Sequence, residues 1–507
     1  MLFRQGFVLI AGLLASSACA VSEATTVEPA TATTEQGLSF QDRVAACNAD
    51  PRVVAGTVSA DICIGADLFF RETFNGNGRS CATCHRVDHN MTIDPKFIAQ
   101  LPATDRLFIA EQVPALAGLE LPATMRQFGL ILENVDGFAP DPRTHFVLRS
   151  VPHTLSLSTS VQRSPRDPVT PPVERTGWSG DGAPGNGALR DFQTGAITQH
   201  YTASLDRVAG QDFRLATDDE LDRIDSFMRA LGRSNELDLT TVVMSDAGAE
   251  AGRARFLALP CNNCHQNAGA NDRIVGGNFN FNTGVESARN AALAAFPIDG
   301  GFGTQANPDG SFGNRTFNVP PLIEAADTGP FFHTATTVSG ASAHNTDVAT
   351  TIEEAIAFYD SPAFNNSPGG RIAPIDMTAD EIDNIGRFLR GLNATFNAAQ
   401  AVKRLDAVLA ISARFHNSRL DVQRELLRLA NVELTDAIRV LAGVPKLDVP
   451  SQVAMLTALA LVESARLSPS ELERKLAVTV ARQLVTQASG TVGTNLNYQI
   501  GDGTVMF

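Results

Sequence analysis

The pentapeptides Cys81-Ala82-Thr83-Cys84-His85 and Cys261-Asn262-Asn263-Cys264-His265 constrain this chain more than anything else in it. Two thiols in C-x-x-C spacing, followed at once by histidine, form the arrangement that ties haem c to a polypeptide. The thiols add to the two vinyl groups, and the histidine is delivered to the iron as its proximal ligand. A zinc or thioredoxin-type reading of C-x-x-C lacks its context, because a histidine follows directly both times. The sequence therefore predicts two covalent haem c groups, attached through Cys81, Cys84, Cys261 and Cys264 and ligated by His85 and His265.

An internal repeat accompanies the two motifs. Thr217–Gly232 (TDDELDRIDSFMRALG) and Thr378–Asn393 (TADEIDNIGRFLRGLN) agree at eight of sixteen positions, with apolar residues at helical spacing. Each opens on a capping box, Thr217 with Glu220 and Thr378 with Glu381, and each lies C-terminal to one cysteine motif. Arg149-Ser-Val-Pro152 and Asn318-Val-Pro320 form a third parallel. The expected fold is mainly α: two tandem cytochrome c-like haem domains, 38–245 and 246–394, then a helical extension and tail, 395–507. The extension is Ala/Leu/Arg-rich at helical period over 395–487, predicting four or five helices, with another capping box at Ser468-Pro469-Ser470-Glu471. Its last twenty residues, rich in Gly, Thr and Asn, read as a loop or loosely ordered tail. Residues 270–316 are Gly/Asn-rich and read as long loops of the kind that line sites.

The N-terminus predicts export. Arg4, the apolar run Phe7–Ala15 and Ala18-Cys19-Ala20 match a signal peptide over 1–20, followed by a polar linker over 21–37. Lipid anchoring at Cys19 fits less well, because Ser16-Ser17-Ala18 is not the usual Leu-led pattern. The expected compartment is the periplasm, where Cys47 and Cys63, outside the motifs and the signal, are expected to pair as a disulfide. No later stretch is long and apolar enough to predict an integral membrane domain. A net charge of -15 argues against nucleic acid and anionic membrane surfaces as partners.

Over roughly residues 60–393 the chain resembles the bacterial dihaem cytochrome c peroxidase/MauG family. The resemblance is carried by GNGRSCATCH (76–85), RSVPHTL (149–155), GWSGDGAP (177–184), LRDFQTGAI (189–197), PCNNCHQNAG (260–269), FNVPPLIEAADTGPFFH (317–333) and TIEEAIAFYD (351–360). It implies a first haem that reacts with hydrogen peroxide and a second that relays electrons to or from a redox partner protein or a protein substrate. Trp178 matches the family's bridging tryptophan; packing in a core is its other reading. Tyr359 stands where the peroxidases carry a methionine ligand and the MauG branch a tyrosine. A phenolate is a harder, anionic donor, so ligation by Tyr359 implies a lowered potential. An ordinary helix tyrosine is the alternative there, and Met377 is the alternative ligand.

The resemblance breaks where the family places a catalytic glutamate. This chain has Thr198-Gln199-His200-Tyr201-Thr202, and His200 becomes the candidate acid/base, or else a merely hydrogen-bonded histidine. His145 and His153 flank Arg149 in the region from which peroxidases supply a displaceable distal histidine, but neither falls at the matching position. His333 is expected to make a structural bond near a haem, and His89 and Met91 are expected to act locally. His344 and His416 carry no assignment. The family's calcium site between the domains is also implied, although Ser150 replaces a usual asparagine. Two other readings stay open: a dihaem electron carrier with both irons six-coordinate, and a dihaem dioxygenase.

Overall fold

Two helix pairs, built alike, stand behind the two cysteine motifs. In the first, Ala60–Arg71 packs on Asp218–Arg229; in the second, Ala247–Ala258 packs on Ala379–Phe415. Each pair closes on a glycine. A Cβ on Gly65 would lie 1.9 Å from the carbonyl oxygen of Arg223, and one on Gly252 would lie 1.8 Å from that of Asn384. Only a residue without a side chain allows the backbones this close. Arg223 and Asn384 hold the same place in the repeat, as do Phe227 and Phe388. Those phenylalanines meet Phe69 and Phe256, four residues after each glycine, with ring centroids 5.2 Å and 5.8 Å apart. The duplication thus extends to a Gly-x-x-x-Phe element ahead of each motif, beyond the sixteen-residue repeat.

This computed structural model describes residues 39–134, 145–167, 169, 174–180, 187–303, 305–334 and 349–507. The expected signal peptide and linker, with Cys19, and His344 lie outside them. The described fold is mainly helical, with three short two-stranded antiparallel ribbons. Leu130–Glu133 pairs with Val147–Ser150, and Asn280–Phe281 with Phe317–Asn318. Both second strands run straight into the Val-Pro steps that the sequence matched. The described part of 270–316 is otherwise loop and single 3-10 turns.

The predicted helix starts hold where the capping chemistry is unambiguous. Thr217 and Thr378 each accept the backbone N–H three residues on, and Glu220 and Glu381 reach back to the cap. The box predicted at Ser468 is displaced. The helix begins at Glu471 and is capped by Ser470, which accepts from the Glu473 N–H, while the Ser468 hydroxyl donates to the Glu473 carboxylate. Ser468 already ends the preceding helix, Val449–Leu467, as its C-cap, so Ser470 opens the next one.

Helix Ala379–Phe415 runs through positions 394 and 395 without a break, so the chain passes from the second repeat into the extension inside one helix. Leu420–Leu441, Val449–Leu467 and Glu471–Val492 complete the extension and pack in sequence. The final segment departs from expectation. Gly493–Thr494 pairs with Val243–Met244, the N–H groups of Gly501 and Gly503 donate to the carbonyls of Gly232 and Ala230, and Val505 and Met506 are buried. Its polar composition hides a strap that bonds mainly through backbone. Near the other end, the Cys47–Cys63 disulfide ties helix Phe40–Ala49 to Ala60–Arg71. No helix among the described residues is long and apolar enough to cross a membrane.

Candidate functional site

Both cysteine motifs open into one cavity of about 930 Å³. The residues singled out for attachment, proximal or tyrosine ligation, bridging and acid/base work line it: Cys81, Cys84, His85, Cys261, Cys264 and His265, with Trp178, His200 and Tyr359. The four motif cysteines are free thiols. Burial pushes Cys81, Cys84 and Cys261 up to about 11 and Cys264 up to about 12, the opposite of the low-pKa thiolate that a redox C-x-x-C requires.

The two histidines are prepared in the same way. His85 Nδ1 lies 2.9 Å from the Met91 carbonyl, and His265 Nδ1 lies 3.0 Å from that of Pro320, with Gly269 O at 3.3 Å. A carbonyl only accepts, so Nδ1 carries the proton in both and Nε2 keeps a lone pair. Burial lowers each imidazole to about 4, so both are neutral at pH 7. Met91 is therefore a local partner of His85 through its backbone, and His89 bonds Asp94 at 2.8 Å.

Trp178 is bonded toward both motifs. Its indole N–H donates to Ser150 O at 2.7 Å, and its carbonyl accepts from Asn318 N–H at 3.0 Å. From Ser150 the chain passes to Val151, whose carbonyl accepts from Thr92, the neighbour of Met91. From Asn318 it passes to Pro320, which holds His265. A hydrogen-bonded and covalent route thus joins the two histidines through the only tryptophan of the chain.

At the second motif, Tyr359 caps helix Ile352–Phe358 and packs against Phe358 and Phe364. Burial, then the nearby Cys264 and Cys261, push its phenol far above the ordinary range. Met377 lines the same cavity.

The first motif has a surround that the sequence did not supply. His200 ends helix Leu189–His200, and its Nδ1 lies 3.8 Å from the buried carboxylate of Glu120. That is ion-pair reach, longer than a hydrogen bond. Glu120 in turn lies 2.8 Å from Arg79 and accepts the Leu132 N–H at 3.0 Å. Burial opposes ionisation of Glu120, but Arg79, His200 and the Leu132 N–H outweigh it and hold the carboxyl below its usual range. The next residue, Tyr201, donates its hydroxyl to Cys81 Sγ at 3.0 Å. His153 also lines the cavity, and its Nδ1 has no hydrogen-bond partner among the described residues. His145 lies outside the cavity lining, edge-on to Phe312. His333 bonds Glu286 at 2.6 Å and stacks on Phe317, near Trp178. Ser150, at the implied calcium position, donates its hydroxyl to Phe332 O at 3.2 Å.

Comparison with known protein families, with curated proteins and with solved structures gives no match. The chemistry of the site must speak for itself. Free thiols at C-x-x-C spacing and a neutral histidine with Nδ1 committed and Nε2 open, twice over in one largely apolar cavity, fit haem c at both motifs.

Proposed function

We propose that this chain is a dihaem c-type oxidoreductase of the cytochrome c peroxidase/MauG type. In this reading 38–245 and 246–394 are tandem cytochrome c-like haem domains and 395–507 is their extension. Cys81 and Cys84 carry the first haem on His85, and Cys261 and Cys264 carry the second on His265 and Tyr359. Bound haem supplies iron that exchanges electrons and, where a coordination position is open, reacts with hydrogen peroxide. The protein holds the two groups in one largely apolar cavity, orients each proximal imidazole through Nδ1, and places Trp178 on the bonded path between them. His200 is the proton-handling side chain at the first haem. The observation that carries the reading is that both motifs share one cavity. The working compartment is the periplasm, and the electron-exchanging partner is a protein.

His153 favours a second reading. With an Nδ1 that finds no partner among the described residues, it has the chemistry to close the first iron, which would make the chain an electron carrier. Electron paramagnetic resonance of the ferric protein separates the two. A high-spin signal that peroxide bleaches supports the peroxidase-type enzyme. Two low-spin signals indifferent to peroxide leave only the carrier. A mass corresponding to fewer than two covalent haems overturns both.

A further inference from the structure

The carboxylate missing from the matched segment is replaced in space by one from far upstream. Glu120 has a side chain only 1% exposed, and so does its partner Arg79. Arg79 is fixed in turn, donating to the carbonyls of Arg106 and Leu107 at 3.2 Å and 2.7 Å. Asn77 accepts the Arg79 N–H and, through its amide, grips the carbonyls of His200 and Thr202 at 2.9 Å each. The segment entering the first motif therefore clamps the end of the helix that carries His200. The carboxylate beside Nδ1 favours the tautomer with the proton there. Nε2, which meets no hydrogen-bond partner among the described residues, is left as the basic atom of a ring lining the cavity.

We propose that Glu120, held by Arg79, is the positioning residue that makes His200 the proton acceptor of the first haem pocket. This rests on the reading of that pocket as an open haem site. A small acid entering the cavity gives its proton to His200 Nε2 and remains as the anion. Glu120 stays ionised, keeps the proton on Nδ1 and balances the imidazolium, and no other bond changes. The logic is that of a carboxylate behind a catalytic histidine. Among the described residues, the titratable side chains around the first motif also include Arg79 beside Glu120, Cys81, Cys84, His85, His153 and Glu133 in the cavity lining, and Tyr201, committed to Cys81.

The test is cyanide binding to the ferric holoprotein, followed by absorbance across pH. Hydrogen cyanide must lose its proton to bind as the anion, so the association rate reports the base and needs no turnover. Wild type is expected to show one ionisation belonging to His200, and His200→Gln to slow binding about 10²-fold and erase that ionisation. Glu120→Gln is expected to move the midpoint to lower pH, since the imidazolium loses its anion, and Glu120→Asp to restore it. Glu120→Gln in the His200→Gln background is expected to have no further effect. An unmoved midpoint in Glu120→Gln, or equal effects of that change with and without His200, overturns the positioning role and leaves the haem reading intact. Wild-type protein that binds no cyanide at either haem overturns the open-pocket reading itself.

Discussion

Arg233 has no exposed surface. Its Nε lies 2.6 Å from Glu324, which also accepts from the Ser156 hydroxyl at 2.5 Å. The pair joins the end of the first repeat helix to the loop after Pro320, and removing one member leaves a buried charge alone. Arg233→Met is expected to cost about 3–5 kcal/mol, read as a lower urea midpoint; a loss below about 1 kcal/mol would mean that the carboxylate finds another partner. At Tyr359 the expectation is electronic. If the proposed second haem is ligated there, Tyr359→Met exchanges a phenol for a thioether and should raise its potential in a redox titration. An unchanged potential and spectrum would remove Tyr359 from the coordination sphere. Arg233 and Glu324 carried no signal in the sequence, whereas Tyr359 and the two cysteine motifs stood out because fixed spacing or a surrounding motif marks them. Glu120 did not. It sits in Leu119-Glu120-Leu121 with no local pattern, and only the fold brings it to Arg79 and His200.

Helix Leu420–Leu441 shows what one element can bury. It sets Glu433 and Asp436 against Asp327 and the long helix Ala379–Phe415, where Asp327 accepts from Asn397 at 2.7 Å and Glu433 pairs with Arg404. Burial, then the charge of Asp327, push the Asp436 carboxyl up, and burial pushes Asp327 up as well. A carboxyl whose folded pKa exceeds its unfolded value binds its proton more tightly when native. Its contribution is complete below the ordinary carboxylate range near ~4 and is lost as pH rises through the folded value. The wild-type urea midpoint is expected to fall between about pH 5 and pH 9 more steeply than that of Asp436→Asn, which has no proton to lose there. Parallel profiles would show that Asp436 ionises without cost. Elements of this kind were half visible in sequence. The repeat helices announced themselves by period and capping box, whereas Gly65 and Gly252 did not. A glycine marks a helix crossing only once its neighbour is known.

On the scale of the whole molecule, the two repeats are fastened by the residues that composition made least promising. The segment after Val492 crosses back to 230–244, the stretch that joins the first helix pair to the second. There it adds a strand pair, the Arg233–Ile500 bridge and the bonds from Gly501 and Gly503. Its end also reaches both flanks: Arg52 lies over the Phe507 ring and donates to Val505 O at 3.3 Å, and Arg404 donates to Thr504 O at 3.1 Å. Val505 and Met506 are buried at 0% and 3% exposure, each worth about 1.5–3 kcal/mol. Against a net stability on the order of 5–15 kcal/mol, losing both is severe. A chain ending at Val492 is therefore expected to unfold at clearly lower urea. If it still folds, amide exchange should rise first over 230–244, because those carbonyls and N–H groups lose their partners while the helices on either side keep theirs. A milder variant, Val505→Ala with Met506→Ala, keeps the backbone bonds and removes only apolar contact, so it should lower the midpoint while leaving 230–244 protected. Equal protection in the wild type and the shortened chain would mean that the strap follows the fold of the two repeats and does not hold them together.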